Sequence, residues 1–280
     1  MSFHPAIESG NLAVITGAAS GIGRAAAEKL AGLGLRLALV DREADTLADL
    51  ARGLGEGHVA LPVDVADAEA VAQLAERIRR DLGPVSLLMN NAGVGGGGDA
   101  LANPAGWSRV LSVNLLGVLH GVQSFVPAMV SGDRPAIVIN TGSKQGITQP
   151  PGDTAYNVSK AGVKALTEGL AHTLREQTGG RVTAHLLIPG FTYTGMIARR
   201  IATQPPGAWT SEQVVDRMFE GIANGEFYIL CQDNETTREQ DEKRILWSAL
   251  DIVEGRPALS RWHPDYQGRF QAFMAEPRKP

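Results

Sequence analysis

The chain has 280 residues, with 26 Lys and Arg against 30 Asp and Glu, 44% hydrophobic residues and 20% charged ones. That composition belongs to ordinary globular proteins and excludes a disordered, fibrous or membrane-embedded chain. A net charge of −4 with no long basic run gives no field to attract nucleic acid or anionic lipid, so neither is an expected partner.

From Leu12 onward, short β-branched or Leu-rich runs alternate with longer helical patterns, the mark of a parallel sheet with helices on both faces. Strands are expected at 12–16, 36–41, 59–63, 85–90, 136–141, 183–187 and 227–230. Helices are expected at 21–33, 44–54, 67–82, 107–129, 153–176 and 211–223. The fold class is therefore α/β, a Rossmann-like doubly wound sheet of about seven parallel strands, in one domain over 1–280. Its core would be 11–230, followed by a C-terminal helical extension over 231–280.

Taken in chain order, the first strand runs straight into Thr16-Gly-Ala-Ala-Ser-Gly-Ile-Gly23, the context a phosphate-binding loop requires. Gly17 permits the tight turn, Gly21 lets backbone approach a pyrophosphate, and Gly23 allows close helix–strand packing; Ser20 and Ile22 complete the loop. Three glycines alone also make an ordinary turn, but the second strand ends on Asp41, near the ~20-residue spacing of a ribose-binding carboxylate. A carboxylate ~4 Å from a 2′-phosphate repels it by several kcal/mol, so NAD is preferred over NADP. Arg42, next door, either offsets part of that repulsion or is a solvated surface charge.

Glycines concentrate where strands end, which in an open α/β sheet is the ligand edge. The run Gly95 to Gly98 reads equally well as a loose surface loop. Further on, Tyr156 and Lys160 are four residues apart on a helical pattern and share one face. A free Tyr has a pKa of ~10, and a nearby ammonium with a cationic nicotinamide could lower it by the two or three units that proton transfer near neutrality needs. A plain surface pair is the alternative.

The joint set Thr16-Gly-x-x-x-Gly-Ile-Gly23, Asp64, Asn90-Asn-Ala-Gly93, Asn114, Ser143, Tyr156-x-x-x-Lys160 and Pro189-Gly190 resembles the short-chain dehydrogenase/reductase family in its shorter, single-domain form. The resemblance covers roughly 12–230, with motifs in family order and spacing. It implies Tyr156 as general acid/base, Lys160 as the holder of the nicotinamide ribose and depressor of the tyrosine pKa, and Ser143 as hydrogen-bond partner of the reacting oxygen. Asn114 would help a water relay protons from Lys160 to solvent. Asp64 with Val65 would face the adenine, and Asn91, Ala92 and Gly93 the adenosine ribose. Ile188, Pro189, Gly190, Thr192 and Thr194 would clamp the carboxamide. The resemblance further implies a homotetramer or homodimer, built on the helices at 107–129 and 153–176. Gly142, where such proteins often have a second serine, and Thr192, where an apolar residue is frequent, depart from the pattern without touching the catalytic set.

The same resemblance points to Gln145, Phe191, Tyr193 and Met196, beside Ser143 and Tyr156, as substrate-pocket residues, with Val94, Ile147, Gln149, Ile197 and Trp209 nearby. Such a lining suits an apolar, alicyclic or aromatic alcohol or ketone. The expected activity is NAD-dependent interconversion of a secondary alcohol and a ketone. An NADPH-dependent ketone reductase and a catalytically silent dinucleotide-binding protein are the rival readings. Six histidines and one cysteine show no metal-ligand spacing, and no metal is implied.

Beyond the seventh strand, 234–254 reads as a charged, then amphipathic helix whose stripe of Ile245, Leu246, Ala249, Leu250 and Val253 should be buried. This tail, with Trp247, Trp262, His263 and Tyr266, is expected near the pocket entrance or at a subunit contact, or else packed on its own domain. Cys231 has no partner for an internal disulfide and the first ten residues contain no export signal, so a cytoplasmic setting is expected.

Overall fold

A computed structural model describes residues 4–198 and 201–277 of the chain. Its strands are β1 (Leu12–Thr16), β2 (Arg36–Asp41), β3 (His58–Pro62), β4 (Val85–Asn90), β5 (Ala136–Thr141), β6 (Val182–Ile188) and β7 (Tyr228–Leu230). All pair in parallel in the order β3-β2-β1-β4-β5-β6-β7. The helices are α1 (Gly21–Gly32), α2 (Ala44–Leu54), α3 (Ala68–Asp81), α4 (Pro104–Leu111), α5 (Gly117–Ser131), α6 (Gln145–Thr148), α7 (Thr154–Thr178), α8 (Gly195–Ala198), α9 (Ser211–Ala223), α10 (Arg238–Val253) and α11 (Gln267–Ala275).

Every residue of β1 and β5 is buried, which explains why these strands read as continuous apolar runs: helices cover both faces of the sheet. Along β1 the side chains alternate. Ala13 and Ile15 enter a core with α1, α2 and α9, while Leu12 and Val14 enter a second core with α3, α5 and α7. Burying each large apolar side chain contributes about 1.5–3 kcal/mol. The chain builds β2 and β3 to one side of β1 and then β4 to β7 to the other. A crevice therefore opens at the carboxyl ends of β1 and β4, where the winding reverses.

The helical stretch expected at 107–129 differs in one functional detail. It begins at Pro104, capped by Asn103, which sits in the left-handed region (φ 60°) and accepts from the Gly106 N–H at 3.0 Å. A π-helical turn, Ser112–Leu116, then interrupts it and carries Asn114; such turns gather at functional sites. Pro104–Ser131 is long and apolar enough to cross a membrane by composition alone, yet half of its most apolar window is buried in this fold. Gly121 shows why: a Cβ there would fall 2.1 Å from Asn90 Oδ1, so α5 lies directly against β4. Asn90 in turn donates to Asn140 Oδ1 (2.9 Å) and Asn140 to Thr167 Oγ1 (3.0 Å), a buried polar chain joining β4, β5 and α7.

The segment after β7 corrects the amphipathic expectation. The residues of α10 that go inside are Asp241, Lys243 and Trp247, whereas Leu246, Ala249 and Val253 of the expected stripe are exposed. Trp247 donates its indole N–H to Ser260 Oγ at 2.8 Å and packs against Phe270, Phe273 and the Arg256 guanidinium. The tail thus makes a small core of its own while α10 rests on α6.

Candidate active site

A cleft of about 830 Å³ lies at the carboxyl ends of the strands, within the range of ligand sites. At one end is the glycine loop. Gly17 has φ +68°, and a Cβ on it would stand 2.8 Å from Ala92 Cα, so only glycine fits. Gly23 does not line the cleft; a Cβ there would lie 2.2 Å from the Gly17 carbonyl oxygen, which matches its expected part in helix–strand packing. Between them Ser20, Gly21 and Ile22 line the cleft at the start of α1. The free N–H groups and dipole of that helix end favour a pyrophosphate. The cradle fits a dinucleotide.

Asp41, at the end of β2, accepts from the Ala19 N–H (3.0 Å) and the Glu43 N–H (3.1 Å), and its carboxylate lines the cleft. Arg42 also lines it, but its guanidinium is exposed and stands 3.4 Å from the Glu43 carboxylate, which offsets the cation that a 2′-phosphate would need. Asp64, held by the Ala66 N–H at 2.9 Å, and Val65 form the adjoining wall. Asn91, Ala92 and Gly93 face them: Thr16 Oγ1 accepts from the Asn91 and Ala92 N–H groups at 2.9 and 3.1 Å, tying this loop to β1.

Deeper in the cleft, Ser143 follows β5 and hydrogen-bonds the Tyr156 hydroxyl. Tyr156 and Lys160 share one face of α7, with the ammonium 5.7 Å from the tyrosine ring centre and donating to the Thr141 carbonyl at 2.7 Å. Burial lowers the Lys160 pKa to about 8. Burial also raises the Tyr156 pKa, reinforced by the Asp153 charge and opposed by the Ser143 hydrogen bond. Without cofactor the phenol is thus held protonated, and the depression expected from Lys160 is not present in this state. Asn114 stands behind the wall rather than on it. Its amide is fully engaged: Nδ2 donates to Val94 O and Ser159 Oγ, and Oδ1 accepts from the Val94 N–H.

Of the residues expected around the substrate, Gln145, Phe191, Val94 and Ile197 line the cleft together with Ser143 and Tyr156. Tyr193 does not: its hydroxyl donates to the carbonyls of Ile201 and Ala202, and its N–H to Trp209 O. It fastens the segment after β6 instead of facing a ligand, and Trp209 packs onto the core. The Met196 side chain lies outside the described residues. Pro189, Gly190, Thr192 and Thr194 all line the cleft, and a Cβ on Gly21 would stand 3.1 Å from Thr194 Cβ, so this segment folds over the glycine loop.

Asp153 is not among the residues expected at the site, yet it organises one wall of it. One oxygen of its carboxylate accepts from the Gly96 and Gly97 N–H groups (2.8 and 3.3 Å), the other from Gly98 and Tyr156 (3.1 and 3.2 Å). The glycine run is therefore pinned to the helix that carries Tyr156 and Lys160, and is not a loose loop. Asp153→Ala is expected to cost about 2 kcal/mol, from a lost cap and orphaned amides, measured by urea unfolding; an unchanged midpoint would mean that water replaces the carboxylate.

A parallel sheet with a glycine loop at its switch point and a Ser, Tyr and Lys converging beneath it defines a dinucleotide-dependent enzyme of the doubly wound class. The model of the short chain dehydrogenase family matches residues 11–205. Galactitol 2-dehydrogenase (L-tagatose-forming) of Cereibacter sphaeroides is 39% identical over 191 residues, 67% of this chain and 73% of that one. The 1-deoxy-11-beta-hydroxypentalenate dehydrogenase of Streptomyces exfoliatus is 31% identical, covering 89% of this chain and 93% of its own. A short chain dehydrogenase/reductase from Burkholderia phymatum, solved with NAD, superposes with a TM-score of 0.80 at 36% identity, covering 89% of this chain and 96% of that one. A metagenomic short-chain oxidoreductase solved with NADP gives 0.66 at 28% identity, covering 80% and 98%. The chain belongs to the short chain dehydrogenase family and is an oxidoreductase.

Proposed function

We propose that the protein is an NAD-dependent dehydrogenase that interconverts a secondary alcohol and a ketone. The observation that carries this is the convergence of Ser143, Tyr156 and Lys160 in the cleft whose other end holds Asp41. The bound nicotinamide supplies the redox chemistry. Tyr156 Oη takes the carbinol proton during oxidation and returns it during reduction, while Ser143 Oγ holds the substrate oxygen beside it. Lys160 holds the nicotinamide ribose and, as an ammonium, stabilises the phenolate. Asn114, its amide engaged by Val94 and Ser159, holds the Val94 segment that lines the cleft. Val94, Phe191 and Ile197 beside Gln145 favour an apolar, alicyclic or aromatic substrate. We place such an enzyme in the cytoplasm as a homodimer or homotetramer, and we take the chain as one domain.

The test is reduction of NAD, followed by absorbance, over a panel of aliphatic, alicyclic, aryl and polyol secondary alcohols. Turnover with one class establishes the activity; tight NAD binding with no turnover on any of them favours a silent binding protein. Cofactor choice has its own test. Asp41→Ala removes the carboxylate that repels a 2′-phosphate, and is expected to move the NAD-over-NADP preference by about 10- to 100-fold, since ~1.4 kcal/mol is tenfold. Paired Kd measurements for the two cofactors read it directly, and an unmoved ratio would assign the discrimination elsewhere.

A further inference from the structure

Ser143 is followed by Lys144, which lines the cleft and whose ammonium belongs to a buried ion cluster. Its ammonium lies 3.1 Å from Asp233 Oδ2 and 2.6 Å from Asp241 Oδ2, with the three side chains only 16%, 10% and 5% exposed. Ion pairs this deep lose several kcal/mol of hydration per charge unless tightly held, so they are not casual surface contacts. Both carboxylates come from the segment after β7. Asp233 does more than pair: it also accepts from the Phe191 N–H and the Thr236 hydroxyl. Its other oxygen accepts from the Glu235 N–H at 3.2 Å.

The cluster sits between two loops of the active site. The Lys144 N–H donates to the Pro189 carbonyl at 3.1 Å. A Cβ on Gly190 would lie 2.7 Å from Lys144 Nζ and 2.9 Å from Asp233 Oδ2, so the ammonium and carboxylate rest directly on that glycine. One side of the cluster therefore holds the Ser143 turn and α6, and the other holds the Pro189–Gly190–Phe191 turn that lines the cleft. Arg244 stands 4.0 Å from Asp241 and donates to Thr236 Oγ1, completing the anchorage on α10.

We propose that Asp233 and Asp241 are positioning residues of the active site: through Lys144 and the Phe191 amide, they fix from the C-terminal segment the two turns between which the substrate's carbinol carbon must lie. This rests on the reading of Ser143 as the residue that holds the reacting oxygen. Catalytic groups must stay within about 0.5 Å of productive geometry, and a turn of glycines with one short helix does not ensure that by itself. The tail does so by supplying two fixed negative charges to a lysine that directly follows the serine.

Hydrogen exchange on the full-length protein without substrate tests the geometry apart from the activity. In Asp233→Asn and Asp241→Asn, amides at 144–149 and at Phe191 are expected to exchange about tenfold faster or more, with β1, β4 and β5 unchanged. If the same amides exchange as in the native protein, the positioning role is wrong, whatever the substrate proves to be. Turnover of the best alcohol should fall by about 10- to 100-fold, chiefly in kcat rather than in the KM for that alcohol. The triple variant Lys144→Met, Asp233→Asn, Asp241→Leu removes the Lys144 ion pairs together and separates positioning from stability. A variant that melts no lower than the native protein but stays slow supports the proposal; one that recovers full turnover overturns it.

Discussion

Tyr156→Phe is expected to lower turnover of the best secondary alcohol by about 10³-fold, the middle of the range for a lost general acid/base. The substitution keeps the ring that packs 5.7 Å from the Lys160 ammonium and removes only the oxygen that reaches Ser143. Cofactor affinity should therefore change little, and the loss should fall on kcat and kcat/KM together, the pattern of an interaction made in the transition state. The pH dependence follows from burial, which with the Asp153 charge raises the Tyr156 pKa. Oxidation needs the phenolate, so its rate should climb through neutral pH into the alkaline range. Reduction needs the phenol, the form that a raised pKa favours, so its rate should not climb with pH. A variant retaining a tenth of native turnover, or an oxidation rate that falls with rising pH, would assign the proton transfer to another group.

The chain order of the sheet and the cleft were legible because both are written locally. A buried parallel strand is a short apolar run with turn residues at its end, and each of the seven begins and ends within one residue of its expected place. The glycine loop, Asp41 and the Tyr156–Lys160 pair are set by spacing within one βα unit or one helix. What stayed hidden depends on distant partners. Asp153 looks like an ordinary helix cap until the glycine run at 95–98 is folded onto it. Asp241 and Lys243 read as the solvated face of α10, because the lysine that draws Asp241 inward lies far earlier in the chain. Tyr193 misled for the opposite reason: an aromatic residue after Pro189-Gly190 suggests a pocket wall, but its hydroxyl found two backbone carbonyls in its own segment. The π turn at Asn114 lies within what reads as one continuous helical pattern.

Lys160→Met is expected to make the cofactor-free protein more stable at pH 7 while abolishing most of its activity. Burial brings the lysine pKa from 10.5 down to about 8, a penalty against the buried ammonium of about 3 kcal/mol. Removing the side chain relieves that penalty and leaves the Thr141 carbonyl, its partner at 2.7 Å, without a donor, which returns about 1–2 kcal/mol. The balance is a gain of about 1–2 kcal/mol, or a few degrees in Tm. The sign carries a pH window. Between about pH 8 and 10.5 the unfolded chain binds more protons at this site than the native protein does, so native stability rises with pH there. The variant lacks that rise, and its advantage is full below pH 8 and shrinks above it. Thermal melts at pH 7 and pH 10 measure both parts. A variant that melts lower than the native protein at pH 7 would show that Lys160 holds the fold together. The opposite result identifies a lysine kept charged against its surroundings, a cost that only its work on Tyr156 and the ribose explains.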